Sequence, residues 1–153
     1  MTNSPATPPA TAIGAYAHWV TDVVRFSDQN IAGHLNSVAI AAYVESGRVA
    51  FAHSLPVDDV RSTLMLARQA IDYHAEAHYP GVIRTGTRLR AIGRTSLTLG
   101  HGLFEDDICI ATAEEVLVHH RDGQSIPIDG DFRRVLERVL AEGRAEVAGP
   151  CDA

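Results

Sequence analysis

Residues 25–48 read RFSDQNIAGHLNSVAIAAYVESGR, a polar loop followed directly by an apolar helical pattern. Asn36 or Ser37 can cap this helix, because a side-chain oxygen there can accept from the unpaired amides of the first turn. Pro56 ends the pattern. One apolar stripe recurs at helical spacing and consists of Ile40, Val44, Gly47 and Phe51. Glycine lowers helix propensity, so its place in this stripe predicts close approach of the helix to a sheet.

Strand patterns surround the helix. Aromatic, β-branched or alternating side chains predict strands at residues 16–26, 67–77, 83–92, 95–104 and 108–120. Asp131 can cap a short final helix, whose apolar face is Phe132, Val135, Leu136, Val139 and Leu140. We therefore predict an α+β fold in which an antiparallel sheet wraps around a central helix. Such a sheet has exposed edges, and association of two copies is the usual way to cover one.

Length and composition indicate one domain of an ordinary globular protein. The chain has 153 residues, and we expect a domain over 15–142 between flexible tails at 1–14 and 143–153. A net charge of −6 argues against nucleic acid or an anionic membrane as the partner. No apolar run is long enough to span a bilayer, and the first residues do not resemble a signal peptide. Cys109 and Cys151 make no disulfide framework, which favours the cytoplasm.

The loop before the helix concentrates the polar side chains that can act on a carbonyl. Asp28, Asn30, His34 and Asn36 lie within nine residues, next to a predicted helix N-terminus. The free amides and dipole of such a terminus favour developing negative charge, as on a carbonyl oxygen under attack. His34 can donate to that oxygen or to the leaving group, Asn30 can hold a water or the carbonyl, and Asp28 can activate water or orient His34. Asp28 and Asn36 can equally be turn and helix caps.

Glu45 is the second candidate for acid–base chemistry. It lies in the same helix, beside the apolar stripe, so we expect partial desolvation against the sheet. Desolvation raises the pKa of a carboxyl group, which suits a general base near neutral pH. A salt bridge to Arg48, three residues on, is the alternative interpretation.

Together, these residues resemble a known family. The segments 25–36 and 43–48 are similar to the hot-dog thioesterases of the 4-hydroxybenzoyl-CoA thioesterase type, and the resemblance covers about 16–140. It implies a hot-dog fold, a coenzyme A or acyl-carrier-protein thioester as substrate, and a site shared between two subunits. It also implies substrate positioning by Gly33, Leu35, Asn36 and Ser37. The second Asp of the usual motif is Asn30 here, so the resemblance implies that Asn30 orients while Glu45 or Asp28 acts as base.

Basic residues offer a place for the phosphates of coenzyme A. Arg84, Arg88 and Arg90 share one strand face, which is either a solvated surface or a phosphate clamp. The predicted coenzyme A-binding residues are Arg88, Arg90, Arg94 and Ser96. We expect neither a metal nor a cofactor apart from the coenzyme A of the substrate. Six of the seven histidines outside the loop show no metal-binding spacing, namely His53, His74, His78, His101, His119 and His120.

The sequence therefore predicts a thioesterase that hydrolyses an acyl-CoA or acyl-carrier-protein thioester as a homodimer or tetramer. Two alternatives stay open. A hydratase or dehydratase on the same fold would use a similar histidine and carboxylate, and a non-catalytic acyl-CoA-binding module would explain Asn30 in place of Asp.

Overall fold

The computed structural model describes residues 9–57 and 63–147, with side chains described as far as residue 143. Six strands and two long helices occur within these residues. In chain order they are β1 (His18–Val23), α1 (Ser37–Ser54), β2 (Leu64–Tyr73), β3 (Val82–Ile92), β4 (Ser96–Glu105), β5 (Ile108–Arg121), β6 (Gln124–Ser125) and α2 (Gly130–Val147). Neither described helix is long and apolar enough to cross a membrane.

The strands form one antiparallel sheet in the order β1-β3-β4-β5-β2, and β6 pairs with the end of β5. Asp106 and Asp122 take positive φ values of 52° and 51° in the turns on either side of β5, a conformation that Asp tolerates. Register shifts in β2, β3 and β5 mark bulges, which bend and twist the sheet. The result is the predicted curled sheet, with β1 and β2 at its two edges.

Helix α1 packs against one face of this sheet. Asn36 is its N-cap, because Oδ1 accepts from the amide of Ala39 at 2.8 Å. The predicted stripe is buried along its whole length. Its first half joins a core cluster with Ile83 and Leu103, and Phe51 joins a second cluster with Leu136 of α2. The central helix and its apolar face are therefore as predicted.

The predicted boundaries differ at three places. Strand β1 is shorter than expected, since short 3₁₀ turns cover Ile13–Ala15 and Phe26–Asp28. Strand β2 is shifted towards the N-terminus and does not show the expected half-burial, because Tyr73 and most of its neighbours are exposed. Helix α2 runs into the segment predicted as a C-terminal tail. The predicted N-terminal tail falls mostly outside the described residues.

Gly47 permits the close contact between α1 and the sheet, and its replacement by alanine tests this. A Cβ atom there would lie 2.7 Å from Cγ2 of Thr85 and 2.8 Å from Oγ1 of Thr87. We expect Gly47→Ala to lower the free energy of unfolding by about 1–3 kcal/mol, measured by urea denaturation. Gly143→Ala is the matched control, because no heavy atom lies within 4 Å of that Cβ. It should be neutral or stabilising through helix propensity, and equal losses in the two variants would refute the steric explanation.

Candidate active site

Asp28 is a structural cap of the loop before α1. Its Oδ2 accepts from the amide of Arg25 at 2.8 Å and from the hydroxyl of Tyr43 at 2.7 Å, while its carbonyl accepts from the amide of Asn36. Partial burial alone would raise the pKa of this carboxyl group, but the Tyr43 and Arg25 hydrogen bonds hold it below its usual value. Asp28 is thus a weak base, and among the described residues no hydrogen bond or ion pair joins it to His34. Its predicted role in orienting His34 therefore has no supporting contact within one chain.

The lowered pKa gives a testable dependence of stability on pH. The folded carboxyl pKa lies below the unfolded one, so ionised Asp28 stabilises the fold above its unfolded pKa, and this contribution disappears as pH falls through the folded pKa. We expect Asp28→Asn to melt lower than the parent near neutral pH, with a difference that closes in acid. Thermal melts across the pH range measure it, and Asp107→Asn in an exposed turn is the control. A difference independent of pH would contradict the assignment.

Asn30 holds the loop in shape with its own side chain. Its Oδ1 accepts from the backbone amides of Ala32 at 2.9 Å and His34 at 3.1 Å. The backbone amide of Asn30 donates to the carbonyl of His34. Gly33 adopts a φ of 81°, which closes this tight turn. Because the oxygen is engaged, only the Nδ2 donor of Asn30 is available for a water or a carbonyl.

His34 lies beside the start of α1 with its side chain 35% exposed. Its Nε2 is 3.3 Å from Oε2 of Glu76, and its ring meets the ring of His78 edge to face with centroids 5.1 Å apart. Glu76, which follows β2, thus has the partner role that we predicted for Asp28. Sequence reasoning missed this residue because it lies more than forty positions from His34.

The amides at the start of α1 divide into occupied and available donors. The amides of Gly33, Leu35 and Asn36 donate to protein carbonyls, so these three predicted positioning residues offer no free backbone donor. Within residues 9–57 and 63–147, no loop group accepts from the amides of Ser37 or Val38. A helix N-terminus with two unpaired amides favours an anion or a polarised carbonyl oxygen. The amide of Ser37 therefore remains a candidate donor to a substrate carbonyl oxygen, as predicted, and the amide of Val38 is a second one.

Glu45 differs from the expected environment. Its side chain is 61% exposed and forms a 2.7 Å ion pair with Nη2 of Arg48, so the expected desolvation is not found within one chain. Glu45 also lies eight residues beyond Ser37, which places it about 12 Å along the helix axis. A carboxylate at that distance cannot act on a carbonyl held at the N-terminus of its own helix.

Behind Glu45 lies a buried polar network that the sequence did not predict. Nη1 of Arg48 is 2.6 Å from Oε1 of Glu115, which also accepts from Gln69 at 2.8 Å. Oε2 of Glu115 lies 3.2 Å from Nε2 of His101, and Nδ1 of His101 contacts Oγ1 of Thr87 at 3.0 Å. The histidine and the glutamate are fully buried, but their contact is poorly aligned for a hydrogen bond. The network fixes Arg48, and through it the position of Glu45.

The predicted coenzyme A residues lie away from the loop. Arg88 stacks on Tyr16, and Arg90 pairs with Glu114, on the sheet face opposite α1. Arg94 and Ser96 lie at the far end of β3, whose eleven residues span roughly 36 Å. Within a single chain, these four residues do not join the start of α1 in one site.

The described residues thus define a hot-dog domain, with an antiparallel sheet curled around a central helix whose N-terminus carries the polar loop. The chain belongs to the thioesterase-like superfamily, whose family profile matches residues 24–136. This confirms the predicted family and supports hydrolysis of an acyl thioester as the function. None of the curated proteins matches the chain.

Solved structures agree on the fold. A thioesterase from Thermus thermophilus, complexed with coenzyme A and Zn, is 24% identical with a TM-score of 0.74, and the match covers 79% of this chain and 98% of that one. A predicted thioesterase from Bacillus stearothermophilus is also 24% identical, with a TM-score of 0.71 and coverage of 80% and 96%. At this identity the likeness establishes the architecture, and the predicted hot-dog fold is confirmed.

Proposed function

We propose that this protein is an enzyme that hydrolyses an acyl-CoA thioester to a free acid and coenzyme A. One observation carries the proposal: the start of α1 presents the unpaired amides of Ser37 and Val38 next to His34, in a chain of the thioesterase-like superfamily. These donors suit the oxygen of a thioester carbonyl, which gains negative charge when water attacks. The coenzyme A bound to the Thermus thermophilus relative favours coenzyme A over a carrier protein as the thiol.

We further propose that each active site is built from two copies of the chain. Glu45 lies too far along α1 to serve the N-terminus of its own helix, and Arg94 and Ser96 lie at the other end of the sheet. A second copy can bring its own Glu45 and basic residues to the first copy's loop. The predicted contact of Arg88 and Arg90 with the phosphates of coenzyme A stays a prediction, since both side chains lie on the sheet face opposite α1.

The edge strand β2 is the surface that we propose for this association. It pairs only with β5 among the described strands and ends the sheet. Met65, Leu66 and Tyr73 are exposed on it, which is unusual for large apolar side chains on a lone edge. Pairing two such edges would cover these side chains and continue the sheet, in a homodimer or a dimer-based tetramer.

The chemistry then follows from the donors and the carboxylate. The partner's Glu45 takes a proton from a water, whose oxygen bonds to the thioester carbon, and Ser37, Val38 and His34 stabilise the oxyanion. Asn30 orients the water or the acyl group through Nδ2. When the intermediate collapses, the carbon–sulfur bond breaks and the proton passes to the leaving thiolate. Asp28 is the weaker candidate for the base, because its hydrogen bonds lower its pKa.

A screen of short, long and aromatic acyl-CoAs with a thiol reagent tests the proposal. We expect thiol release above the uncatalysed rate for at least one chain class. Water addition to or loss from the acyl group without free thiol would instead identify a hydratase or dehydratase. Tight binding with no turnover on any acyl-CoA would indicate a binding module, which the engaged Oδ1 of Asn30 would then explain.

A further inference from the structure

The fold brings three metal-binding side chains together beside the start of α1. The imidazoles of His34 and His78 and the carboxylate of Glu76 each offer one donor atom, and these atoms all lie within 4.8 Å of one another. The sequence spacing predicted no metal site, because Glu76 and His78 meet His34 only through the tertiary structure. These three residues are the histidine–glutamate cluster below.

The backbone holds two members of the cluster in register. His34 and His78 face each other across an isolated antiparallel bridge, and the amide of Leu35 donates to the carbonyl of Ala77 at 2.8 Å. The two rings therefore lie close together, at a centroid distance of 5.1 Å. Glu76 and His78 are exposed, so their side chains can rotate by the small amount that a common ligand requires.

The distances suit a tetrahedral ion. Ligand bonds of about 2.1 Å at tetrahedral angles put neighbouring donor atoms roughly 3.4 Å apart, and Nε2 of His34 lies 3.3 Å from Oε2 of Glu76. Two imidazoles and one carboxylate match a zinc ligand set with one open position. Magnesium and calcium prefer oxygen ligands throughout, so the two nitrogens select against them.

We propose that the histidine–glutamate cluster is a zinc-binding site, with His34, Glu76 and His78 as ligands and the fourth position open to water or to a ligand oxygen. The proposal does not depend on thioesterase activity. It does have a consequence for that activity, since zinc would occupy Nε2 of His34, the side chain that we propose faces the thioester.

Calorimetric titration of the chelator-treated full chain with zinc chloride tests the site. We expect one zinc ion per chain and no binding of magnesium. Cobalt(II) should bind in its place and show the visible absorption of a four-coordinate ion. No saturable zinc binding to the folded parent protein would overturn the proposal, whatever the outcome of the acyl-CoA screen.

Single substitutions identify the ligands. His78→Ala and Glu76→Gln should each weaken zinc binding by at least about tenfold. Loss of a residue that only hydrogen-bonds to a metal ligand already lowers metal affinity about tenfold or more, and loss of the ligand itself should cost at least as much. His53→Ala, which removes an exposed histidine near the other end of α1, should bind zinc as the parent does. Thermal melts verify that each variant is folded, and His78→Gln replaces His78→Ala if the latter is not. Parent-like affinity in folded variants at both Glu76 and His78 would overturn the assignment.

Discussion

Replacement of His34 or of Glu45 by alanine is expected to lower kcat by about a hundredfold or more on the best acyl-CoA substrate. The His34 variant would lack a hydrogen-bond donor to the oxyanion, and the Glu45 variant would lack the base that activates water. Asn30→Ala should have a comparable effect, because its side chain both orients the substrate or water and holds the loop through the amides of Ala32 and His34. Steady-state release of free thiol measures all three.

Two controls separate chemistry from folding. His53→Ala removes an exposed histidine from the C-terminal end of α1 and should keep the parent kcat. Asn30→Asp keeps an oxygen acceptor for the loop amides, so it should retain the loop and fold. Parent-like rates in the alanine variants of Asn30, His34 and Glu45 would discard the proposed site.

Mixing two inactive variants tests whether the site spans two chains. A dimer that pairs a His34→Ala chain with a Glu45→Ala chain contains one intact site if the two residues act across the interface. Random assortment should then restore roughly a quarter of the parent activity, since half the dimers are mixed and each has one of two sites. If each chain supplied both residues to its own site, co-expression would restore nothing.

Replacement of Glu115 by alanine is expected to lower the free energy of unfolding by about 3–5 kcal/mol, because it leaves Arg48 without its buried counter-charge. Glu115 is fully buried and contacts Arg48, Gln69 and His101. Its removal also leaves a cavity under α1. Urea denaturation of the parent and the variant measures the loss.

Glu114 provides the matched control on the same strand. It lies on the opposite face, where it pairs with Arg68 and Arg90 at an exposed site. Exposed ion pairs contribute little, so Glu114→Ala should cost at most about 1 kcal/mol. The loss of unfolding free energy in Glu115→Gln should lie between the losses in the two alanine variants. Equal losses in the two alanine variants would mean that the buried network does not stabilise the contact between α1 and the sheet.

The same network links stability to the proposed chemistry. Arg48 contacts buried Glu115 with one nitrogen and exposed Glu45 with another. Without Glu115, the guanidinium is no longer fixed against the sheet, and Glu45 loses its positioned partner. Loss of activity in Glu115→Gln at a temperature where it stays folded would show that the network positions Glu45 as well as holding the helix.

Structural features that depend on residues close together in the sequence could be predicted from the sequence. The cap at Asn36 and the buried stripe through Gly47 and Phe51 came out as predicted, because capping and helical periodicity act within a few residues. The position of β2 was not readable from the sequence, because β3, β4 and β5 follow one another across the sheet whereas β2 pairs with β5 at its edge. The alternation of β2 failed as a guide, since a bulge between Leu66 and Arg68 shifts its register and its edge lies uncovered in the single chain.

The sequence alone determined three things: the polar loop that leads into the N-terminus of α1, the packing of α1 inside a curled sheet, and the family to which these features point. Only the tertiary structure decided the partners of the reactive side chains: Glu76 and His78 at His34, Tyr43 at Asp28, and Glu115 at Arg48, the last pair 67 positions apart. It also showed that Leu35 and Asn36 use their amides within the protein, which leaves Ser37 and Val38 to act. The physical reason is the range of the forces: caps and periodicity are local, whereas ion pairs and hydrogen bonds between distant segments depend on how the sheet curls.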